Sequence, residues 1–241
     1  MRPTLTPGQT LMRITHLTLP SSDPEACLAF YRDVLQLPVE GTVVRVGWTE
    51  VEVVRGSAAP VSSETEGRPT PQGDQAGRAI HLAFNIPPQR FDAACDWLAR
   101  RALILRDASG TERFELGGVW QSRSVYFAGP HDAVLELIAR NALLSPCAVE
   151  GEFHGTEIVC VSEVGLPTRD VLHLSTALKR DLGIESFGEP SEGFSPLGDD
   201  EGLFIVVDEA RSWFPEGRLL PTALGVRVTS HVGQKVMCVD A

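Results

Sequence analysis

Residues 13–38, RITHLTLPSSDPEACLAFYRDVLQLP, change their hydrophobic period part-way along. Up to Leu19 polar and apolar positions alternate, the period of a strand, which puts Thr15, Leu17 and Leu19 on one face and Ile14, His16 and Thr18 on the other. From Cys27 onward the apolar positions are Cys27, Phe30, Tyr31, Val34 and Leu35, a single helical stripe. Ser22 and Glu25 have the spacing of a capping box, and Asp23 can serve as N-cap. Pro24 suits the first helical position, where its missing N–H has no partner to lose. The pattern predicts a helix packed on the Leu17/Leu19 side of a strand, with His16 on the far face of the sheet.

The same design recurs. In AIHLAFNIPPQRFDAACDWLARRALI, from Ala79, a strand places Ile80, Leu82 and Phe84 opposite His81, Ala83 and Asn85. A helix follows, with Phe91, Ala94, Cys95, Leu98 and Ala99 as its stripe. A third copy starts at Thr156 and carries Val171, Leu174, Leu178 and Leu182 at helical spacing, but no histidine in its strand. Each helix is followed by Gly-punctuated β-rich segments: GTVVRVGWTEVEVVRG, then FELGGVWQSRSVYFAG and AVLELIAR, and finally EGFSPLGDDEGLFIVVDEARSWFP with ALGVRVTS. The expected unit is one strand, one helix and about three strands, an α+β pattern. The Ser/Gly/Pro-rich stretch from Gly56 to Arg78 reads as a mobile loop, and Leu144–Glu152 as a boundary. This division gives a two-unit domain at 11–143 and a degenerate third unit with a C-terminal strand at 152–241. Asp199, Asp200 and Glu201 lie between Gly198 and Gly202 and read as a turn.

Composition narrows the partners. The 241 residues are 43% hydrophobic and 22% charged, ordinary globular material. A net charge of -11 speaks against nucleic acid or anionic membrane as a general partner. No apolar run approaches a membrane span and no signal peptide is visible, so a cytoplasmic protein is expected. The five cysteines lack a C-x-x-C pair, and Cys27 and Cys95 fall on helix stripes; they read as reduced core thiols. A basic, Gly-rich phosphate loop is also missing, which leaves nucleotide cofactors without support.

The chemistry is suggested by polar residues in matching places. In TEVEVV, Glu52 lies opposite Val51 and Val53; in VLELIAR, Glu136 lies opposite Leu135 and Leu137. Each of the first two units thus pairs a strand histidine with a later strand carboxylate, His16 with Glu52 and His81 with Glu136, away from the aliphatic face. Imidazoles and carboxylates converging inside a concave sheet are satisfied together by a divalent cation. His16, Glu52, His81 and Glu136 are therefore the candidate metal ligands.

The order strand-His, AFYRDVLQLPVEG, strand-Glu, IHLAFNI, VYFAGP and VLELIAR resembles the vicinal oxygen chelate superfamily, which includes glyoxalase I, bleomycin and fosfomycin resistance proteins and extradiol dioxygenases. The resemblance covers about Leu11 to Arg140. It implies paired βαβββ modules forming a cup-shaped mixed sheet, with a third, degenerate module beyond them. His16, Glu52, His81 and Glu136 match the glyoxalase I ligand order; His16, His81 and Glu136 match the two-histidine, one-carboxylate set. GPHDA replaces the usual turn before the last ligand, and His131 there reads as a loop residue.

The implied activity is that of a metal-dependent glyoxalase-like lyase or isomerase on a small molecule with adjacent oxygens, with Zn, Ni, Mn or Fe as the ion. Glu52 or Glu136 would act catalytically as proton shuttle. An extradiol-type dioxygenase and a non-catalytic, bleomycin-resistance-like binding protein are the alternatives. Trp48, Trp120, Gln121 and Arg123 are expected to line the pocket, Trp120 by stacking and Arg123 by holding an anionic group. An unpaired third unit would leave strand edges free to form a homodimer.

Overall fold

The computed structural model describes residues 11–56, 77–143, 150–222, 227–232 and 235–240. Most of the expected loop at Gly56–Arg78, and residues 144–149 of the expected boundary, lie outside the described residues. The first unit contains β1 (Met12–Ser21), α1 (Pro24–Ala29) continued by a π-helical turn, β2 (Val39–Glu40), β3 (Val43–Val46) and β4 (Thr49–Arg55). The second contains β5 (Arg78–Ala79), β6 (His81–Asn85), α2 (Phe91–Ala99), β7 (Arg113–Leu116), β8 (Ser122–Ala128) and β9 (Val134–Arg140). The third contains β10 (Cys160–Thr168), α3 (Val171–Leu182), β11 (Phe194–Asp199) and β12 (Gly202–Asp208). Then come β13 (Leu220–Pro221), β14 (Arg227–Val232) and β15 (Lys235–Asp240).

Local chemistry sets the element ends. The Asp23 carboxylate accepts the Ala26 N–H at 3.1 Å and Asp170 accepts the His173 N–H at 2.8 Å, capping α1 and α3. Gly183 closes α3 in the left-handed region, at φ 69°. The acidic Asp199–Glu201 stretch is the turn joining β11 to β12, as expected. The Asp199 carboxylate there accepts the N–H groups of Met12 at 2.7 Å and Glu201 at 2.8 Å.

The architecture is α+β, with few helices packed on curled mixed sheets. One sheet has seven strands in the order β11-β12-β10-β6-β9-β8-β7, and another has six in the order β15-β14-β1-β4-β3-β2. The pairing of units differs from the expected one. The first strand of the second unit, β6, pairs antiparallel with β10, the first strand of the third. The first strand of the chain, β1, pairs antiparallel with β14. The sheet seam therefore crosses the expected division near 143–152, and the third unit is not left unpaired.

Close backbone contacts, invisible to local periodicity, lock this arrangement. Gly47 turns from β3 to β4 at φ 55°, and a Cβ there would lie 1.8 Å from the Val159 carbonyl oxygen that leads into β10. The main core lies between the sheets and helices and includes Leu17, Val51, Leu82, Phe84, Leu135, Val164 and Phe204. A separate cluster, Leu203, Ile205, Val207, Val134 and Trp213 with Trp120, Tyr126 and Phe187 packed against it, fills the other face of the seven-stranded sheet. Among the described residues no helix is long and apolar enough to cross a membrane.

Candidate metal centre

Alternation on β6, β9 and β10 brings three titratable side chains to that second face. On β6, Leu82 and Phe84 enter the main core, which leaves His81, Ala83 and Asn85 on the other side. Parallel pairing sets His81 beside Val134 and Ala83 beside Glu136. Antiparallel pairing sets Ala83 beside Glu163 on β10, after a bulge at Ser162.

His81 Nε2 lies 3.6 Å from Glu136 Oε2 and 3.7 Å from Glu163 Oε2. One ligand atom from each of the three lies within 4.8 Å of the others, and among the described residues no other group of His, Cys, Asp or Glu does this. The three are 6%, 2% and 4% exposed. The Val134 carbonyl, which can only accept, lies 3.0 Å from His81 Nδ1, so Nδ1 carries the proton and Nε2 faces the carboxylates.

The charges are unequal. Glu163 is held by the fully buried Arg140 guanidinium. Burial pushes the Glu163 carboxyl up, but Arg140 and His81 outweigh it and leave it below its ordinary value. Glu136 has no guanidinium partner, and burial, then the Glu163 charge, push it up to about 7. Burial pushes His81 down, yet the Glu163 and Glu136 carboxylates raise it overall. Burial and the same carboxylates hold the Tyr126 hydroxyl well above its ordinary value.

One imidazole nitrogen and two carboxylate oxygens are a donor set for a divalent first-row ion. The fit is supported by the chemistry of the donor set: two buried carboxylates and one imidazole nitrogen turn toward a common point. Aromatic rings close over the site. Trp213 lies 5.1 Å from the His81 ring and donates its Nε1–H to the Ala79 carbonyl at 2.9 Å. Tyr126 stacks on His81 at 6.3 Å, and Phe214 covers Tyr126.

The expected ligands are thus brought together in part. His81 and Glu136 meet; His16 and Glu52 lie on the six-stranded sheet, 3.7 Å from each other, with side chains 33% and 42% exposed. His16 also faces Glu50, which Arg45 holds. The reason is topological: β1 joins β14, so the first unit does not share the cup of the second. A bulge at Thr15 also changes the expected faces, so that Met12, Ile14, Leu17 and Leu19 are buried together and His16 does not side with Ile14.

Of the expected pocket residues, Trp120 lies over the cup, its ring 5.5 Å from the Arg140 guanidinium. Gln121 is exposed in the turn before β8. Arg123 points the other way, toward α2, over the Phe91 ring at 4.6 Å, and donates to the Pro88 carbonyl at 2.7 Å. Trp48 packs under Arg13 at 4.8 Å, beside the first sheet. His131 is an exposed turn residue 2.7 Å from Ser21 Oγ.

Glu163 is not among the expected ligands, which pair a strand histidine with a carboxylate in the same unit, and the third unit has no strand histidine. The signal was present in CVSEVG: a carboxylate between Val161 and Val164, as Glu136 sits between aliphatic neighbours.

Residues 13–137 match the family model described as Glyoxalase/Bleomycin resistance protein/Dioxygenase superfamily. The chain belongs to that superfamily. A search of curated proteins gives no match. Among solved structures, the chain is similar to a Bacillus subtilis protein named as a proposed dioxygenase, with TM-score 0.52, 15% identity and 83% of this chain covered. The chain spans 64% of that protein's length. Glyoxalase I from Zea mays gives TM-score 0.48 and 12% identity, covering 95% of this chain and 71% of that one. A glyoxalase/bleomycin resistance protein/dioxygenase from Nocardioides gives TM-score 0.39 and 22% identity over 57% of this chain and 89% of its own.

Proposed function

We propose that this chain is a metal-dependent enzyme of the glyoxalase type, a lyase or isomerase for a small molecule with adjacent oxygens. The observation that carries the reading is the buried convergence of His81, Glu136 and Glu163. These three would hold Zn, Ni, Mn or Fe, and the ion when bound would supply Lewis-acid stabilisation to a developing enolate or oxyanion.

The roles of the protein groups follow from their partners. Glu163 is anchored by Arg140 and acts as a fixed carboxylate. Glu136 has no guanidinium on it, so it is the carboxylate able to exchange a proton with substrate. His81 is oriented by the Val134 carbonyl. Trp213, Tyr126 and Phe214 exclude water from the carboxylates.

Elemental analysis of the purified protein, followed by turnover assays with 2-oxoaldehydes plus thiol, catechols and epoxides, tests the proposal. One divalent ion per chain and turnover of the first class are expected. No bound ion in protein purified without chelator overturns it. The aromatic lining favours a second reading, a non-catalytic binder of small flat molecules. It predicts ligand binding that survives removal of metal.

A further inference from the structure

The concave face carries more polar groups than the metal centre uses. On β9, Glu136, Ile138 and Arg140 share that face, and on β8 their partners are Tyr126, Ser124 and Ser122. Arg140 gives Nη2 to Glu163, but its Nε and Nη1 have no hydrogen-bond partner, although the side chain is 0% exposed. The nearest further acid is Asp200, with Oδ1 3.9 Å from Nη1, beyond hydrogen-bond reach. Trp120 and Phe187 lie 5.5 and 5.4 Å from the guanidinium carbon and leave those N–H groups unsatisfied. The Ser122 hydroxyl, 1% exposed, is likewise unpartnered, and the Ser124 hydroxyl, 2% exposed, has only Glu136 near it. Buried donors without partners are costly, and here two guanidinium nitrogens and the Ser122 hydroxyl gather on one face beside the ligands, next to Ser124.

We propose that Arg140, Ser122 and Ser124 form an oxyanion subsite beside the metal centre, which takes the carboxylate of a small monoanionic substrate. The proposal rests on the metal reading above and names the substrate class for that site. Charge agrees with it. A divalent ion plus Arg140 exceeds the Glu136 and Glu163 carboxylates by one positive charge, and a ligand carboxylate would compete with Asp200, 3.9 Å from Nη1, for it. A carboxylate bearing an adjacent hydroxyl or carbonyl oxygen places one oxygen toward the ion's ligands and the carboxylate toward Arg140. The anion-holding role expected of Arg123 thus falls to an arginine on the neighbouring strand, because Arg123 occupies the opposite strand face.

The test is calorimetric titration of the full-length protein loaded with Mn(II), using glycolate and the uncharged, similarly sized hydroxyacetone. Glycolate is expected to bind at least roughly tenfold more tightly, the worth of a charge-assisted hydrogen bond in a buried site. Arg140→Gln is expected to reduce that preference to under about twofold, with Arg140→Lys retaining part of it. If Arg140→Gln fails to fold, the Ser122→Ala/Ser124→Ala double variant is expected to weaken glycolate about threefold and leave hydroxyacetone unchanged. Elemental analysis of each sample separates the two readings. Failure to load manganese overturns the metal centre and this subsite together. Stoichiometric manganese with equal affinity for the two ligands, or a preference that survives Arg140→Gln, overturns the subsite alone.

Discussion

Two carboxylates in one site have opposite energetic characters. Glu163 balances a buried guanidinium, whereas Glu136 adds a second buried negative charge with no guanidinium held against it, beside His81, Ser124 and Tyr126. Glu163→Gln leaves Arg140 with only Asp200 at 3.9 Å and is expected to destabilise the metal-free protein by about 3 kcal/mol. Glu136→Gln removes the repulsion and is expected to stabilise the metal-free protein by about 1–2 kcal/mol. Both variants are expected to lose bound metal. Denaturant titration in chelator, paired with elemental analysis, checks both signs at once; a destabilised Glu136→Gln would show that the carboxylate is satisfied without a cation. The thiols test burial at the same scale. Burial pushes Cys27 and Cys95 up to about 11 and Cys160 up to about 12. These three are expected to resist alkylation at pH 8 in the native state and to react on unfolding, as read by peptide mass mapping.

At the level of elements, the β3–β4 turn shows how a seam depends on backbone approach. Gly47 combines φ 55° with a Val159 carbonyl oxygen where a Cβ would sit, and the adjacent Trp48 N–H lies 3.4 Å from the same oxygen. Gly47→Ala is therefore expected to cost about 2–4 kcal/mol in a denaturation experiment. Contacts of this kind mark the limit of what the sequence discloses. The faces of β6 and β9 and most of the helix stripes were legible, since each depends on the period of a few neighbouring residues, although on α2 Ala99 is exposed and Trp97, outside the expected stripe, is fully buried. That legibility sufficed to place His81 and Glu136 together. The bulge at Thr15, which changes the face of β1, leaves no mark in an alternating pattern. The pairing of β6 with β10 rather than β1 is a contact between distant segments, and Glu163 enters the site only through that pairing. A ligand set assembled from two units by strand pairing cannot be read from the units separately.

For the whole molecule, the strand pairing makes the candidate metal centre independent of the first sheet. His81, Glu136 and Glu163 all belong to the seven-stranded sheet, while β14 and β15 complete the six-stranded one. Removing residues 223–241 would strip β1 of its antiparallel partner and leave the Met12–Ser21 backbone as an exposed edge, while Val228 and Val232 would no longer cover the core. The truncated protein is expected to self-associate in light scattering and to lose amide-exchange protection along β1, with β6, β9 and β10 still protected. Its manganese stoichiometry is expected to equal that of the full chain, and saturating manganese is expected to raise the melting temperature of both, because binding to the folded state alone stabilises it by mass action. The outcome separates two ways of building the site. A centre that required His16 and Glu52 would lose its metal when the sheet carrying them was disrupted, whereas a centre built on β6, β9 and β10 keeps it.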